Sequence, residues 1–210
     1  KARSPVWSEA NQRLYYSARC SSDPPNDLLY SVGLSGDNRL EVNLPGVFPD
    51  DEFIRIAGIH PVSNSQDIYV VTASYHHTPG EIPHLWRILR ISESDQWEIF
   101  VEPDEAVTNP VVTSLSPDER RLALSSQWQD GYWVIVDLQT GEFTQIPTVL
   151  EDYVCEIQWL DAQRFLGIEY GMGCDNAFRT PGSTHIFDLE TGTAENITSG
   201  FNAWVLPVTQ

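Results

Sequence analysis

Three of the five histidines of this 210-residue chain lie in one short stretch, Tyr75-His76-His77-Thr78-Pro79-Gly80-Glu81-Ile82-Pro83-His84. Neutral imidazoles beside a carboxylate are ligands for zinc or a similar borderline metal. No HExxH helix or CxxC pair accompanies them, and two prolines stiffen the stretch. Solvated loop histidines are the plainer reading, so neither a metal nor another cofactor is expected. His76, His77 and His84 are candidate ligand-binding residues.

Two other stretches could make contacts. Ser126-Gln127-Trp128-Gln129-Asp130-Gly131 carries a tryptophan able to stack on a sugar or peptide, with a carboxylate two positions on. Tyr170-Gly171-Met172-Gly173-Cys174-Asp175-Asn176-Ala177-Phe178 is glycine-rich but lacks a phosphate-loop lysine. Met172 and Phe178 in it are apolar side chains suited to a partner surface. Catalytic patterns are missing. Gly33-Leu34-Ser35-Gly36 fails the nucleophile-elbow spacing by one place, and no EF-hand spacing occurs. With 30 acidic residues, chance carboxylate pairs are too many for a glycosidase dyad to be chosen. No catalytic residue is assigned.

The elements that must hold these residues repeat. Val134-Ile135-Val136-Asp137-Leu138-Gln139-Thr140-Gly141-Glu142 returns as His185-Ile186-Phe187-Asp188-Leu189-Glu190-Thr191-Gly192-Thr193, 51 positions later. Weaker copies run through Leu34 and Ile91, and aligning Leu34, Ile91, Leu138 and Leu189 gives steps of 57, 47 and 51. Each hairpin follows another pair of short β-branched and aromatic runs bounded by Pro, Asp, Asn and Gly. Four short strands, A to D, in roughly 50 residues are the pattern of a propeller blade. The expected fold is an all-β propeller of four-stranded antiparallel blades, one domain over 1–210, with repeats near 1–48, 49–104, 105–149 and 150–200. Phe201-Asn202-Ala203-Trp204-Val205-Leu206-Pro207 reads as an extra strand over 201–208. About four blades then form either a small closed ring or part of a larger propeller.

Leu115-Ser116-Pro117-Asp118-Glu119-Arg120-Arg121-Leu122-Ala123-Leu124-Ser125 resembles the TolB-type, WD-like propeller repeat, and Trp7-Ser8-Glu9-Ala10-Asn11 and Trp159-Leu160-Asp161-Ala162 resemble degenerate copies. Members of that class serve as binding scaffolds, as peptidase accessory domains and occasionally as enzymes, so the resemblance implies a fold more than an activity.

In such a blade the A–B and C–D turns share one face, and the B–C loops share the other. The B–C loops are long in three repeats and carry His76, His77, His84, Met172, Phe178 and Cys174, which makes that face the expected binding surface. Blade positions allow a Cys155–Cys174 disulfide; Cys20–Cys174 is the rival in a four-blade ring, and three free thiols are the third option.

A net charge of −18 argues against nucleic acid and anionic membrane as partners, because both need a basic face. No apolar run is long enough to insert in a membrane as a helix. The chain begins at Lys1, its single lysine, and with the TolB-type resemblance this leans towards an extracytoplasmic location, periplasmic, cell-surface or secreted. The functional expectation is a non-catalytic propeller that binds a protein or peptide through its B–C face, alone, as a homo-oligomer or in a larger assembly. The alternative is an extracytoplasmic carbohydrate-binding protein, or a hydrolase or lyase, using Trp128 and Asp130 on the same face.

Overall fold

Short apolar runs separated by Asp, Asn, Pro and Gly form sixteen strands in the computed structural model, which describes residues 2–19, 26–44, 53–75, 85–92, 96–103, 110–126, 132–147, 153–170 and 183–199. Blade 1 holds β1 (Ala2–Ser8), β2 (Arg13–Arg19), β3 (Asp27–Gly33) and β4 (Asn38–Val42). Blade 2 holds β5 (Phe53–Pro61), β6 (Ile68–Tyr75), β7 (Leu85–Ile91) and β8 (Trp97–Val101). Blade 3 holds β9 (Pro110–Leu115), β10 (Arg121–Ser126), β11 (Tyr132–Asp137) and β12 (Phe143–Pro147). Blade 4 holds β13 (Tyr153–Trp159), β14 (Arg164–Tyr170), β15 (Ser183–Asp188) and β16 (Thr193–Ser199).

Each blade is a separate four-stranded antiparallel meander in which strands pair in chain order. That is the expected all-β propeller architecture. The first strands β1, β5, β9 and β13 lie side by side from blade to blade, and among the described residues no comparable contact joins blade 4 back to blade 1. The described blades form an open arc.

Three apolar cores glue the arc together, one at each junction. Tyr15, Leu29 and Val42 of blade 1 meet Ile54, Val70 and Leu89 of blade 2. Trp86, Ile88 and Val101 of blade 2 meet Leu122, Val134 and Val136 of blade 3. Trp133 and Ile135 of blade 3 meet Phe165 and Phe187 of blade 4. Side chains alternate across a strand, so each blade commits one face to the blade before it and the other to the blade after it. Both faces must be apolar for this to work, and burial of that area is the main stabilising term.

The repeated Asp-Leu-x-Thr-Gly stretch is a capped C–D turn. Asp137 Oδ1 accepts the amides of Gln139 at 2.8 Å and Thr140 at 3.0 Å. Asp188 Oδ1 accepts those of Glu190 at 2.9 Å and Thr191 at 3.1 Å. Gly141 and Gly192 follow at φ 77° and 66°, where a side chain would be strained. The Ser-Pro-Asp stretch has a comparable task at the A–B turn. Ser116 Oγ donates to Asp118 Oδ1 at 2.7 Å and accepts the Arg121 amide at 2.9 Å.

Candidate functional site: a turn-face cleft and an open blade flank

The A–B turns link neighbouring blades. Asn11 Nδ2 donates to the Gln66 carbonyl at 3.0 Å, the Ser63 amide reaches both Glu119 carboxylate oxygens at 3.0 Å, and Arg121 Nη1 donates to the Ala162 carbonyl at 2.6 Å. At the first of these links the two turns stand apart over a cleft of about 260 Å³ lined by Asn11, Arg13, Tyr15, Arg39, Gln66 and Ser92, among others. It opens on the face carrying the A–B and C–D turns, opposite the B–C side.

A polar network aims the two arginines. Arg13 Nε donates to Ser31 Oγ at 2.6 Å, Nη1 to Asp37 Oδ2 at 2.7 Å, and Nη2 to the Asp37 carbonyl at 3.0 Å. The Ser31 hydroxyl donates to the Glu41 carboxylate, which is 3% exposed and also accepts Arg39 Nε at 2.9 Å. The Ser35 hydroxyl, and after it the Arg13 guanidinium, hold the Asp37 carboxyl down to about 2. Gly33 leaves room for the Asp37 carboxylate, which a Cβ at this position would push aside. Each guanidinium thus has its carboxylate behind it.

A second polar contact sits between the first strands of blades 2 and 3. His60 Nε2 and Thr113 Oγ1 are 2.7 Å apart above Gly58, whose missing side chain makes room for both. Burial pushes the His60 imidazole down to about 4, so the ring is neutral near pH 7. A hydroxyl beside a neutral imidazole has the residue types of a nucleophile and its base. A third group that orients the base would be needed, and no carboxylate bonds His60 among the described residues. The pair reads as a junction contact between blades.

The third feature is the face of blade 1 turned away from blade 2. Cross-strand pairing places Trp7, Leu14, Val32 and Asn38 in one row, Tyr16, Tyr30 and Leu40 in the next, and Ala18 with Leu28 in a third. Tyr16 and Tyr30 stack with ring centroids 5.7 Å apart and planes 17° off parallel. Tyr16 Oη donates to Asn38 Oδ1 at 2.9 Å, and the Trp7 indole donates to Glu9 Oε2 at 2.7 Å, which draws the Glu9 carboxyl below its usual value. No charged side chain stands on these nine positions.

Repeat register makes the exposure of this face informative. Leu14 corresponds to Val70, Leu122 and Phe165, and Val32 to Leu89, Val136 and Phe187. All six counterparts are at most 2% exposed. Leu14 and Val32 are half-buried, while Trp7 is 38% and Leu40 46% exposed. The positions that the other blades bury against a neighbour are uncovered in blade 1.

The residues singled out from sequence alone fall elsewhere. His76, His77, His84, Trp128, Asp130, Met172, Phe178, Cys20 and Cys174 lie outside the described residues, as does the 201–208 segment. Cys155 lies on β13 at the register shift between Val154 and Glu156; its side chain is outside the description. The B–C binding face and the Cys155–Cys174 pairing thus remain expectations. Sequence reasoning passed over Arg13, Ser31, Arg39 and Glu41. The only cue was the Arg39-Leu40-Glu41-Val42 alternation, which puts a cation and an anion on the same side of one strand.

No family model matches the chain, and no curated protein matches it. Among solved structures, a puromycin-hydrolysing peptidase of Mycobacterium tuberculosis is similar over 99% of this chain and 30% of its own, at 16% identity and TM-score 0.60. The dihydro-haem d1 dehydrogenase NirN is similar over 95% of this chain and 38% of its own, at 14% identity and TM-score 0.60. The periplasmic gluconolactonase PpgL of Pseudomonas aeruginosa is similar over 94% and 56%, at 12% identity and TM-score 0.56. The chain spans about a third of the first of these proteins. Fold and likeness together define a β-propeller.

Proposed function

We propose that this chain is a binding propeller that assembles with a second copy of itself through the open flank of blade 1. The carrying observation is that Leu14 and Val32 are only half-buried where all six of their counterparts in the other blades are buried, with Trp7 and Leu40 exposed beside them. In stacked repeats an end face that meets water is normally polar. Blade 4 follows that rule in part. Its outward rows mix Leu166, Ile168 and Ile186 with Glu156, Gln158, Thr184 and Glu195, and of these Leu166 and Thr184 are buried while Glu156 and Glu195 are exposed. Blade 1's flank carries Asn38 and two tyrosine hydroxyls but no charged side chain, so the partner that suits it brings a largely apolar, uncharged sheet face. Among the described faces that description fits blade 1's own flank, and two such flanks meeting about a two-fold axis make a self-complementary contact. Sedimentation of the chain with and without charges introduced at positions 16 and 30 tests the reading.

The TolB-type resemblance belongs to this proposal, as does recognition of a further protein or peptide through the B–C loops. A second reading has one support: two of the similar structures are named as hydrolysing enzymes, the puromycin-hydrolysing peptidase and the gluconolactonase. On that reading the chain is the propeller portion of a hydrolase. Turnover of an aminoacyl anilide or an aldonolactone by this chain would favour it, and inactivity on both would count against it.

A further inference from the structure

The cleft between blades 1 and 2 has the chemistry of an anion site, on a different face from the blade 1 flank and independent of it. The whole chain has 30 acidic residues against 12 lysines and arginines, yet both charged side chains lining this cleft are guanidiniums. Asp37 and Glu41, which hold those guanidiniums in place, do not line it. Arg13 spends three of its N–H groups on Ser31 and Asp37. A guanidinium has five, so two remain without an acceptor among the described residues. The Arg13 side chain is 16% exposed, held rigid by those three bonds and partly shielded from water, conditions under which an added charge-assisted bond counts for more.

The rest of the lining suits a small polar organic ligand. Asn11, Gln66 and Ser92 add amide and hydroxyl groups at the rim, and the buried Tyr15 and Ile91 close the floor. The volume of about 260 Å³ lies just under the range of drug-sized pockets and equals that of roughly eight or nine liquid waters, so a ligand of roughly ten heavy atoms fits. Forked donors match the planar, paired oxygens of a carboxylate. We propose that this cleft binds a carboxylate ligand, supplied either as a free dicarboxylic acid or as the acidic side chain of a peptide.

Titration of the intact chain, followed at the arginine Nε–H resonances, tests the site with two probes: sodium glutarate for the free acid, and blocked acetyl-Gly-Glu-Gly-amide for the side chain. Saturable shifts at Arg13 and Arg39, with none at the turn-bound Arg164, are expected for one or both probes. A response to glutarate alone assigns the free acid, and a response to the peptide assigns the side chain. Arg39→Gln should weaken the responding probe by about tenfold or more. Asn11→Asp puts a carboxylate into the lining without touching either arginine and should abolish the response. Absence of saturation with both probes overturns the proposal, as does unchanged affinity in both variants.

Discussion

Gly167 lies flat against Trp133. A Cβ built on Gly167 would stand 2.5 Å from Trp133 Cζ2 and 2.8 Å from Cη2, with Phe187 Cε2 at 3.0 Å. The indole is wedged between blades 3 and 4, its centroid 5.1 Å from that of Phe165 and 5.0 Å from that of Phe187. It takes the place in its blade that Trp86 takes at the previous junction and Leu29 at the one before. The glycine is therefore the other half of the tryptophan. Gly167→Ala overpacks the junction and should lower unfolding free energy by about 1–3 kcal/mol. Denaturant titration checks this: the midpoint falls while the m-value holds, and an unchanged midpoint would show that Trp133 moves aside freely.

Removing the turn caps should have small, equal and independent effects. Asp137→Ala and Asp188→Ala each leave two turn amides without their carboxylate acceptor. Those amides are exposed and water replaces part of the loss, so each substitution should cost about 1 kcal/mol. The two turns belong to different blades, and the double variant should show the sum to within about 0.5 kcal/mol. Thermal and denaturant midpoints of the three variants test it. Strong non-additivity would mean that the turns share a cooperative contact.

Acid should loosen the junction of blades 2 and 3 through His60. Its folded-state value of about 4 lies below the ordinary 6.5, so the unfolded chain binds the proton more tightly. The contribution is whole above pH 6.5, declines as pH falls through the window, and is lost by about pH 4. At one pH unit per 1.36 kcal/mol the full effect is about 3 kcal/mol. Stability measured between pH 7 and pH 4 should fall more steeply in the wild type than in His60→Gln, which keeps a polar group near Thr113 but cannot charge. Parallel pH profiles would contradict the assignment.

Much of the blade was legible because its causes are local. Asp137, Gly141, Asp188 and Gly192 announce their turns by residue type, and the four-strand repeat follows from short apolar runs between them. The open flank was also written in the chain, since Leu14-Tyr15-Tyr16 and Leu28-Leu29-Tyr30 are apolar on both faces rather than alternating. What sequence alone withheld was which of those faces would find a neighbour. The arginine cleft was hidden for another reason. Arg13, Ser31 and Glu41 sit on three different strands, and the register shift in β3–β4 between Leu29 and Tyr30 decides which side of the sheet Arg39 and Glu41 share. One residue of slip reverses every side chain beyond it, and composition carries no trace of that choice.

The mass of the chain in solution tests the flank most directly. Sedimentation equilibrium should give twice the 23.7 kDa chain mass at protein concentrations of about 10–100 μM, a range in which even modest interfaces hold together. Tyr16→Lys with Tyr30→Lys places like charges across the two-fold contact and should return the chain to the single mass. Its thermal midpoint at high dilution should fall only modestly, because the Tyr16–Tyr30 stack is lost and two like charges then face each other across β2 and β3 while the buried junctions are untouched. A wild-type chain that sediments at the single mass throughout that range, or a doubly charged variant that stays paired, would contradict the account.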